Sequence, residues 1–176
     1  LTEVADSCLW LLEDNHSAKR NLKNEASRLG IDPNRLIFAK RIELSEHINR
    51  HKLADLFLDT LPYNAHTTAS DALWAGLPIL TLKGNTFPGR VGASLLKALD
   101  LTELITSSTT EYKELAIFLA KNPDKLESIK MKLKYNKLSS PLFDTVRFTR
   151  YLESAYQKMY ERYLADFPPD HIYVNS

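Results

Sequence analysis

The sequence has little of several features that mark particular classes of protein. Its 176 residues include one cysteine, Cys8, so no disulfide can form within the chain and nothing indicates an oxidising compartment. Only five glycines occur, and they form neither a P-loop nor the G-x-G-x-x-G fingerprint of dinucleotide-binding folds. No apolar run approaches the ~20 residues that span a bilayer. The best-known glycine-rich nucleotide sites are therefore excluded, and we expect a cytoplasmic protein with no membrane partner.

The sequence also lacks a charge excess of either sign. It carries 23 basic and 22 acidic side chains, for a formal net charge of +1. Broad binding to nucleic acid needs a concentrated basic excess, so we expect no nucleic-acid partner. What is present, 44% apolar and 26% charged residues, is typical of an ordinary folded globular domain.

Short apolar runs alternate with longer amphipathic ones, which predicts an α/β fold with a parallel sheet. Near-continuous apolarity indicates strands covered by helices on both faces, with Cys8 buried in the first of them. Ser45 is the expected N-cap of the second helix, and Gly76 the expected end of the third. The predicted strands are 8–12, 36–39, 56–59, 78–82 and 104–105; the predicted helices are 17–29, 45–54, 67–75, 89–99, 109–121, 124–138 and 145–165.

The final third of the chain changes character. We expect a core of residues 1–122 and a helical extension of residues 123–176, ending in an irregular tail from Asp166. The last helix carries an apolar stripe whose spacing of three and four residues is typical of a core-facing surface. The stripe consists of Phe148, Tyr151, Leu152, Ala155, Tyr156, Met159, Tyr160 and Tyr163.

The densest group of polar side chains follows the third predicted strand. There His66, Thr67 and Thr68 lead into the helix that contains Asp71. A helix N-terminus offers unpaired N–H donors and a partial positive charge, which together favour an anion site. The competing interpretation is a capping box in which Thr68 is the N-cap and Asp71 reaches back to it. The two are compatible, since Thr67 can face a phosphate while Thr68 caps.

A second group lies on the preceding helix, where His47 and His51 are four residues apart on one face. That spacing suits a metal pair, but neither the glutamate of H-E-x-x-H nor a nearby cysteine accompanies it, so a polar helix face is the simpler interpretation. His47 can instead contact a nucleotide. The sequence also has no D-x-D pair, so a bound diphosphate would be neutralised by a helix dipole, hydroxyls and basic side chains.

Several segments together resemble the O-linked N-acetylglucosamine transferases and their SPINDLY-like relatives, in order and spacing over nearly the whole chain. They are residues 53–60 (LADLFLDT), 64–71 (NAHTTASD), 73–78 (LWAGLP), 90–94 (RVGAS), 111–112 (EY) and 139–145 (SSPLFDT). The resemblance implies the C-terminal lobe of a two-lobed GT-B glycosyltransferase, Rossmann-like, from a protein with tetratricopeptide repeats upstream.

By that likeness, the lobe binds the nucleotide-sugar donor UDP-N-acetylglucosamine without a metal or other cofactor. His66, Thr67 and Thr68 would hold the diphosphate, and Asp71 would bond the ribose. His47 and the backbone near Ile42 would meet the base, with Arg50 a further donor-binding residue. The protein acceptor, with its Ser and Thr hydroxyls, would bind through an N-terminal lobe and repeats outside this chain.

Two departures from the family pattern affect this expectation. Leu44 stands where better-known animal members have a lysine, so a GDP-fucose or UDP-glucose donor remains open. The family's phosphate-binding lysine belongs to a segment before Cys8, so we expect this chain alone to be inactive. A non-catalytic lobe that binds nucleotide or scaffolds partners is the alternative from another class.

In GT-B proteins the last helix crosses the lobe junction, so the apolar stripe is expected to lack cover here or to self-associate.

Overall fold

The computed structural model describes residues 1–174 and alternates strands with helices, as predicted. The strands are β1 (Leu9–Leu12), β2 (Leu36–Ala39), β3 (Phe57–Leu58), β4 (Ile79–Leu82) and β5 (Ile105–Thr106). The helices are α1 (His16–Arg28), α2 (Leu44–Arg50), α3 (Thr67–Ala75), α4 (Val91–Ala98), α5 (Thr109–Lys121), α6 (Pro123–Ser139) and α7 (Thr145–Leu164). None of the helices in residues 1–174 has the length and apolarity needed to cross a membrane.

Every strand pairing is parallel, which confirms the α/β class. β1 pairs with β2 from Leu9 opposite Leu36, and β4 lies between β3 and β5. The hydrogen-bonded ladder is divided into a two-stranded and a three-stranded sheet. Each parallel pairing requires a crossover, and helices supply it in every case.

Burial of the strands is less uniform than their apolar sequences suggest. All four residues of β4 are buried, as expected for a central parallel strand covered on both faces. β1 alternates between half-buried and exposed residues, and Leu58 of β3 is exposed. The prediction of cover on both faces is therefore right for β4 and wrong for β1 and β3, which lie at sheet edges. Cys8 precedes β1 and is exposed, so the prediction that it is buried is also wrong.

The core lies around β4, where helices pack against the three-stranded sheet. α3 contributes Leu73 and α4 contributes Leu96, both fully buried. α6 packs against α3 and α5 and buries one apolar face, formed by Leu126, Ile129 and Leu133. Helix α3 is therefore packed against both the central strand and α6. The division into residues 1–122 and 123–176 stays a prediction.

Local chemistry explains most helix ends. α3 ends at Gly76, which adopts a left-handed conformation (φ 93°), as predicted for a C-terminal glycine. α2 begins one residue before the predicted start, with Glu43 rather than Ser45 as its N-cap. Residues 51–53 of the predicted second helix form a separate 3₁₀ turn. The Ser45 cap is therefore wrong, because the serine lies inside the first helical turn.

The terminal helix, α7, buries none of its residues. Its N-terminus is capped by Asp144, whose carboxylate accepts a hydrogen bond from the Arg147 N–H at 2.9 Å. Phe148 is 64% and Tyr163 74% exposed. The core-facing role predicted from the stripe's periodicity is wrong for this chain, and the expectation of an uncovered apolar stripe is confirmed. The tail from Asp166 to residue 174 has no regular structure, as predicted, and residues 175–176 lie outside the described residues.

Candidate functional site

The N-terminus of α3 is open. Its N-cap is His66, and no side chain within the described residues caps the helix. Thr67 and Thr68 occupy the first two helical positions, and both are exposed. The predicted capping box of Thr68 and Asp71 is therefore wrong, because Thr68 lies inside the helix. The first backbone N–H groups have no partner within the helix and remain available to a ligand.

A second helix of the same protein begins with the same pair of residues and shows what a satisfied end looks like. α5 starts with Thr109 and Thr110, but the Ser108 hydroxyl accepts a hydrogen bond from the Glu111 N–H at 3.1 Å. Glu111 also places a carboxylate in that first turn, whereas the first turn of α3 contains no acidic residue. Since anions are stabilised at helix N-termini, α3 is the better anion site of the two.

His66 is held by aromatic neighbours that sequence reasoning missed. Its ring stacks on Tyr63 with ring centres 4.9 Å apart, and the ring of Phe87 lies nearly perpendicular to it with ring centres 6.1 Å apart. Within residues 1–174 the buried His66 Nε2 and the buried Asn64 Oδ1 have no hydrogen-bond partner. Buried polar atoms are normally paired, so these two atoms mark the loop before α3 as a polar environment that can accept further hydrogen bonds.

The α2 residues form a connected cluster. The Arg50 Nε donates to Nδ1 of His47 at 3.0 Å, and another guanidinium nitrogen donates to the Lys40 carbonyl at 2.8 Å. The guanidinium also lies over the ring of Trp10 at 5.8 Å. Arginine only donates, so Nδ1 of His47 is the acceptor and a neutral His47 carries its proton on Nε2. Arg50 therefore fixes the tautomer of His47.

The electrostatics of this cluster keep His47 neutral. Burial lowers the pKa of His47 first, and the charges of His51 and Arg50 lower it further. The carboxylate of Asp71 acts in the opposite direction and raises this pKa. Because α2 packs against α3, the structure brings His47 and Asp71 within electrostatic reach of each other. The two groups predicted separately from the sequence are thus neighbours in the structure.

Ile42 and Leu44 lie at the entrance to α2. Ile42 is in the loop that leads from β2, and Leu44 is the first helical residue, 62% exposed. The metal interpretation of His47 and His51 gains no support: residues 1–174 contain no group of three or more His, Cys, Asp or Glu side chains placed to hold a metal.

The profile of glycosyl transferase family 41 matches residues 1–152. The chain belongs to this family. The resemblance to O-linked N-acetylglucosamine transferases is therefore confirmed, and the open N-terminus of α3 is a feature of a family 41 chain.

Family 41 relatives resemble the chain over almost all of its length. A probable UDP-N-acetylglucosamine–peptide N-acetylglucosaminyltransferase (SEC) of Arabidopsis thaliana is 39% identical over 175 residues, which cover 99% of this chain and 18% of the relative. The Caenorhabditis elegans UDP-N-acetylglucosamine–peptide N-acetylglucosaminyltransferase is 34% identical over 176 residues, which cover 100% of this chain and 15% of the relative. The family 41 chain thus spans less than a fifth of these relatives.

A solved family member shares the fold. A mutant of the Thermobaculum terrenum O-GlcNAc transferase superposes with a TM-score of 0.80 and 30% sequence identity, over 86% of this chain and 30% of that one. The parallel α/β architecture predicted from the sequence is therefore that of a known glycosyltransferase.

Proposed function

We propose that this chain is the nucleotide-sugar-binding lobe of a cytoplasmic protein O-glycosyltransferase of GT-B architecture. The donor is UDP-N-acetylglucosamine, and the sugar is moved to Ser or Thr hydroxyls of acceptor proteins that bind outside residues 1–176. The observation that carries the proposal is the open N-terminus of α3, with two exposed threonine hydroxyls, in a family 41 frame. The names of the relatives, which are peptide N-acetylglucosaminyltransferases, support the choice of donor.

The proposed donor-binding residues lie at two helices, and each helix binds a different part of the donor. His66, Thr67 and Thr68 hold the diphosphate at the start of α3, where the helix dipole opposes its charge. Asp71, one turn further on, bonds the ribose. His47 presents its Nε2 proton towards the base, because Arg50 occupies Nδ1.

The backbone of the loop at Ile42 completes the part of the site that contacts the base. The side chain of Ile42 is exposed, so a ligand can reach this loop. Arg50 acts here by orienting His47 and by tying α2 to the Lys40 carbonyl. The base site is thus built on the β2–α2 connection and the phosphate site on the β3–α3 connection. Both connections follow carboxyl ends of parallel strands, where open α/β sheets bind ligands.

The chemistry supplied by this lobe is stabilisation of the leaving group. As the acceptor hydroxyl attacks the anomeric carbon, the bond from that carbon to the diphosphate oxygen breaks and negative charge grows on the diphosphate. Donors already oriented towards that charge lower the barrier without reorganising. Because the helix dipole and hydroxyls perform this neutralisation, we expect donor binding to persist in EDTA.

Titration with UDP, followed by amide NMR, tests the proposal. We expect Thr67→Ala to weaken UDP binding by roughly tenfold, the effect of losing one hydrogen bond to a charged group. The matched control is Thr109→Ala, which removes the same group from the same position of the capped helix α5 and is expected to leave UDP binding unchanged. Equal effects of the two substitutions, or binding of neither UDP nor GDP by the unsubstituted chain, would contradict the proposal.

The same titration with GDP tests the alternative donors. Leu44 is one reason to consider GDP-fucose or UDP-glucose as the donor. It is 62% exposed beside the proposed base-binding loop, and a leucine there provides no charged contact for uridine diphosphate. Tighter binding of GDP than of UDP would move the proposed donor to GDP-fucose. Preference for UDP together with weaker UDP-N-acetylglucosamine than UDP-glucose binding would indicate a glucose donor.

A further inference from the structure

A carboxylate lies buried behind the open end of α3 and has no part in the functions described so far. Asp59 directly follows β3 and is 5% exposed. Among residues 1–174 no basic side chain forms an ion pair with it. Burying a carboxylate without a counter-ion costs several kcal/mol unless hydrogen-bond donors replace its water. The donors that do so show what the residue holds in place.

Both carboxylate oxygens of Asp59 are engaged, and each holds a different part of the fold. Oδ1 accepts hydrogen bonds from the backbone N–H groups of Thr60 at 2.9 Å and Ala65 at 2.7 Å, the two ends of the loop that leads to α3. Oδ2 accepts from the Thr81 hydroxyl at 2.6 Å, in the middle of the central strand β4. One side chain therefore ties the loop to the most buried strand.

The space around this carboxylate is closed by a glycine. Gly92 lies in the first turn of α4, and a Cβ added there would come within 2.6 Å of Asp59 Oδ2 and 2.7 Å of the Thr81 hydroxyl. A carbon atom that cannot hydrogen-bond is not tolerated this close to an oxygen, so α4 can approach this closely only with glycine at that position. The short N-terminal turn of α4 also places a favourable dipole beside the charge.

The backbone around Asp59 is fixed as well as its side chain. Its carbonyl accepts from the Tyr112 hydroxyl at 2.8 Å, and its N–H donates to the Leu80 carbonyl at 3.0 Å. Burial, then the nearby Asp59 charge, raises the pKa of Tyr112, which keeps the phenol protonated as a donor. Within the loop, the Asn64 side chain donates to the Thr60 carbonyl at 3.0 Å.

Ala65 is the last residue before His66, the N-cap of α3. The N–H of Ala65 bound to Asp59 is thus the final fixed point of the chain before the proposed diphosphate ligands. We propose that Asp59 is a positioning residue that sets the location of His66, Thr67 and Thr68 for the diphosphate; this inference rests on the proposed function. The negative charge of Asp59 does not itself favour diphosphate binding, since a negative group behind the site opposes it. Asp59 contributes by the positions in which its hydrogen bonds hold the loop.

The experiment compares UDP with uridine, which lacks the phosphates. Dissociation constants come from amide chemical-shift titrations of the full chain, which report on folded molecules and measure weak binding. We expect Asp59→Ala to raise the Kd for UDP about tenfold, as expected when a binding group is displaced by a fraction of an ångström, and to leave the Kd for uridine within twofold. The Ala65 amide is expected to exchange with solvent faster.

Two further variants separate positioning from general stability and from charge. Asp59→Asn keeps an Oδ1 acceptor for Thr60 and Ala65, and we expect it to restore UDP binding to within about threefold of the unsubstituted chain. Thr106→Val removes another buried hydroxyl of the same sheet, which donates to the Thr81 carbonyl at 3.0 Å. It is expected to lower stability without changing the ratio of UDP to uridine affinity.

The proposal is overturned if Asp59→Ala weakens UDP and uridine equally, if it changes neither, or if Asp59→Asn is as damaging as the alanine variant. The result that refutes the proposed function is different: the unsubstituted chain would then bind neither UDP nor GDP. In that case the Asp59 inference falls with it. A selective loss for UDP that asparagine rescues is the outcome expected.

Discussion

At the residue scale, the protonation state of His47 depends on three neighbouring side chains that can carry charge. Arg50 donates to Nδ1 of His47 and adds a positive charge beside it, and His51 lies edge-on with ring centres 4.5 Å apart. Asp71, on the next helix, is the charge that opposes them. Because burial acts in the same direction as the two basic neighbours, the neutral imidazole is favoured. A neutral His47 is a hydrogen-bond donor through Nε2, as the contact proposed here with the base needs.

We predict that the pKa of His47, measured by NMR titration of its ring signals, lies below the ordinary value of about 6.5. Asp71→Asn should lower it further, since the opposing charge is lost, and Arg50→Met should raise it. Lys52→Met is the matched control, because it removes a nearby cation whose ammonium group donates to the Asn49 side chain and which is not among the charges that shift the pKa of His47; it should leave that pKa unchanged. An unchanged or higher value in Asp71→Asn would contradict this assignment.

The same shift has a consequence for stability with a definite sign. Between the lowered pKa of folded His47 and the ordinary pKa of about 6.5, the unfolded chain binds more protons than the folded one. Stability should therefore fall as the pH drops through this interval, and it should be fully present above about pH 6.5. In His47→Gln this part of the pH dependence, measured by urea unfolding, is expected to disappear.

Sequence patterns identify the candidate site residues but not the residues that contact them. The polar segment around His66 is visible as a dense group before a helix, and the family likeness assigns it to a diphosphate. The capping interpretation of Thr68 fails because the N-cap of α3 is His66, two residues earlier, so Thr68 lies inside the first helical turn. Asp59 gave no signal, since a single acid after an apolar run is common. Its role depends on Thr81, 22 residues away.

At the scale of elements, prediction succeeds where local chemistry determines the ends. α3 and α5 have the predicted boundaries, Thr67–Ala75 and Thr109–Lys121, because a glycine ends one and a serine caps the other. Burial is harder to predict, because it depends on which strand lies centrally. β1 and β4 are both apolar runs in the sequence, but only β4 has neighbours on both sides.

The C-terminus of α3 provides a direct test of one such local rule. Gly76 has φ of 93°, and no atom lies within 4 Å of the position that an added methyl group would occupy, so Gly76→Ala adds strain without a clash. We expect a loss of about 1–2 kcal/mol in the free energy of unfolding, the cost of a left-handed backbone for an L-residue. In thermal unfolding this is a fall of roughly 2–8 °C for a chain of this size.

A second glycine serves as the comparison. Gly30, after α1, has φ of 72° and equally open surroundings, but its φ lies closer to the left-handed minimum near ~57° that other residues can adopt. Gly30→Ala is therefore expected to cost less than Gly76→Ala. Equal or reversed costs would show that something other than backbone conformation sets the value at position 76.

At the scale of the whole molecule, the two C-terminal helices differ in how they join the fold. α6 buries Leu126, Ile129 and Leu133 against the core, and its Asn136 side chain donates to the Leu99 carbonyl at 2.7 Å. α7 is connected through the turn at Pro141–Phe143 but buries none of its own residues. Its periodicity correctly indicates an amphipathic helix, yet periodicity cannot say whether the apolar face finds a partner within these residues.

The uncovered apolar stripe of α7 favours association, since large contiguous exposed apolar patches commonly mark interfaces. We predict that the isolated chain pairs with a second copy through α7, seen as concentration-dependent sedimentation and binding of a hydrophobic dye. Tyr156→Lys combined with Tyr160→Lys, one turn apart on the exposed face, should abolish both signals. Glu153→Lys, an exposed charge change on the same helix, should abolish neither. A chain that sediments as a monomer at every concentration and binds no dye would show that the exposed aromatic side chains of α7 do not drive association.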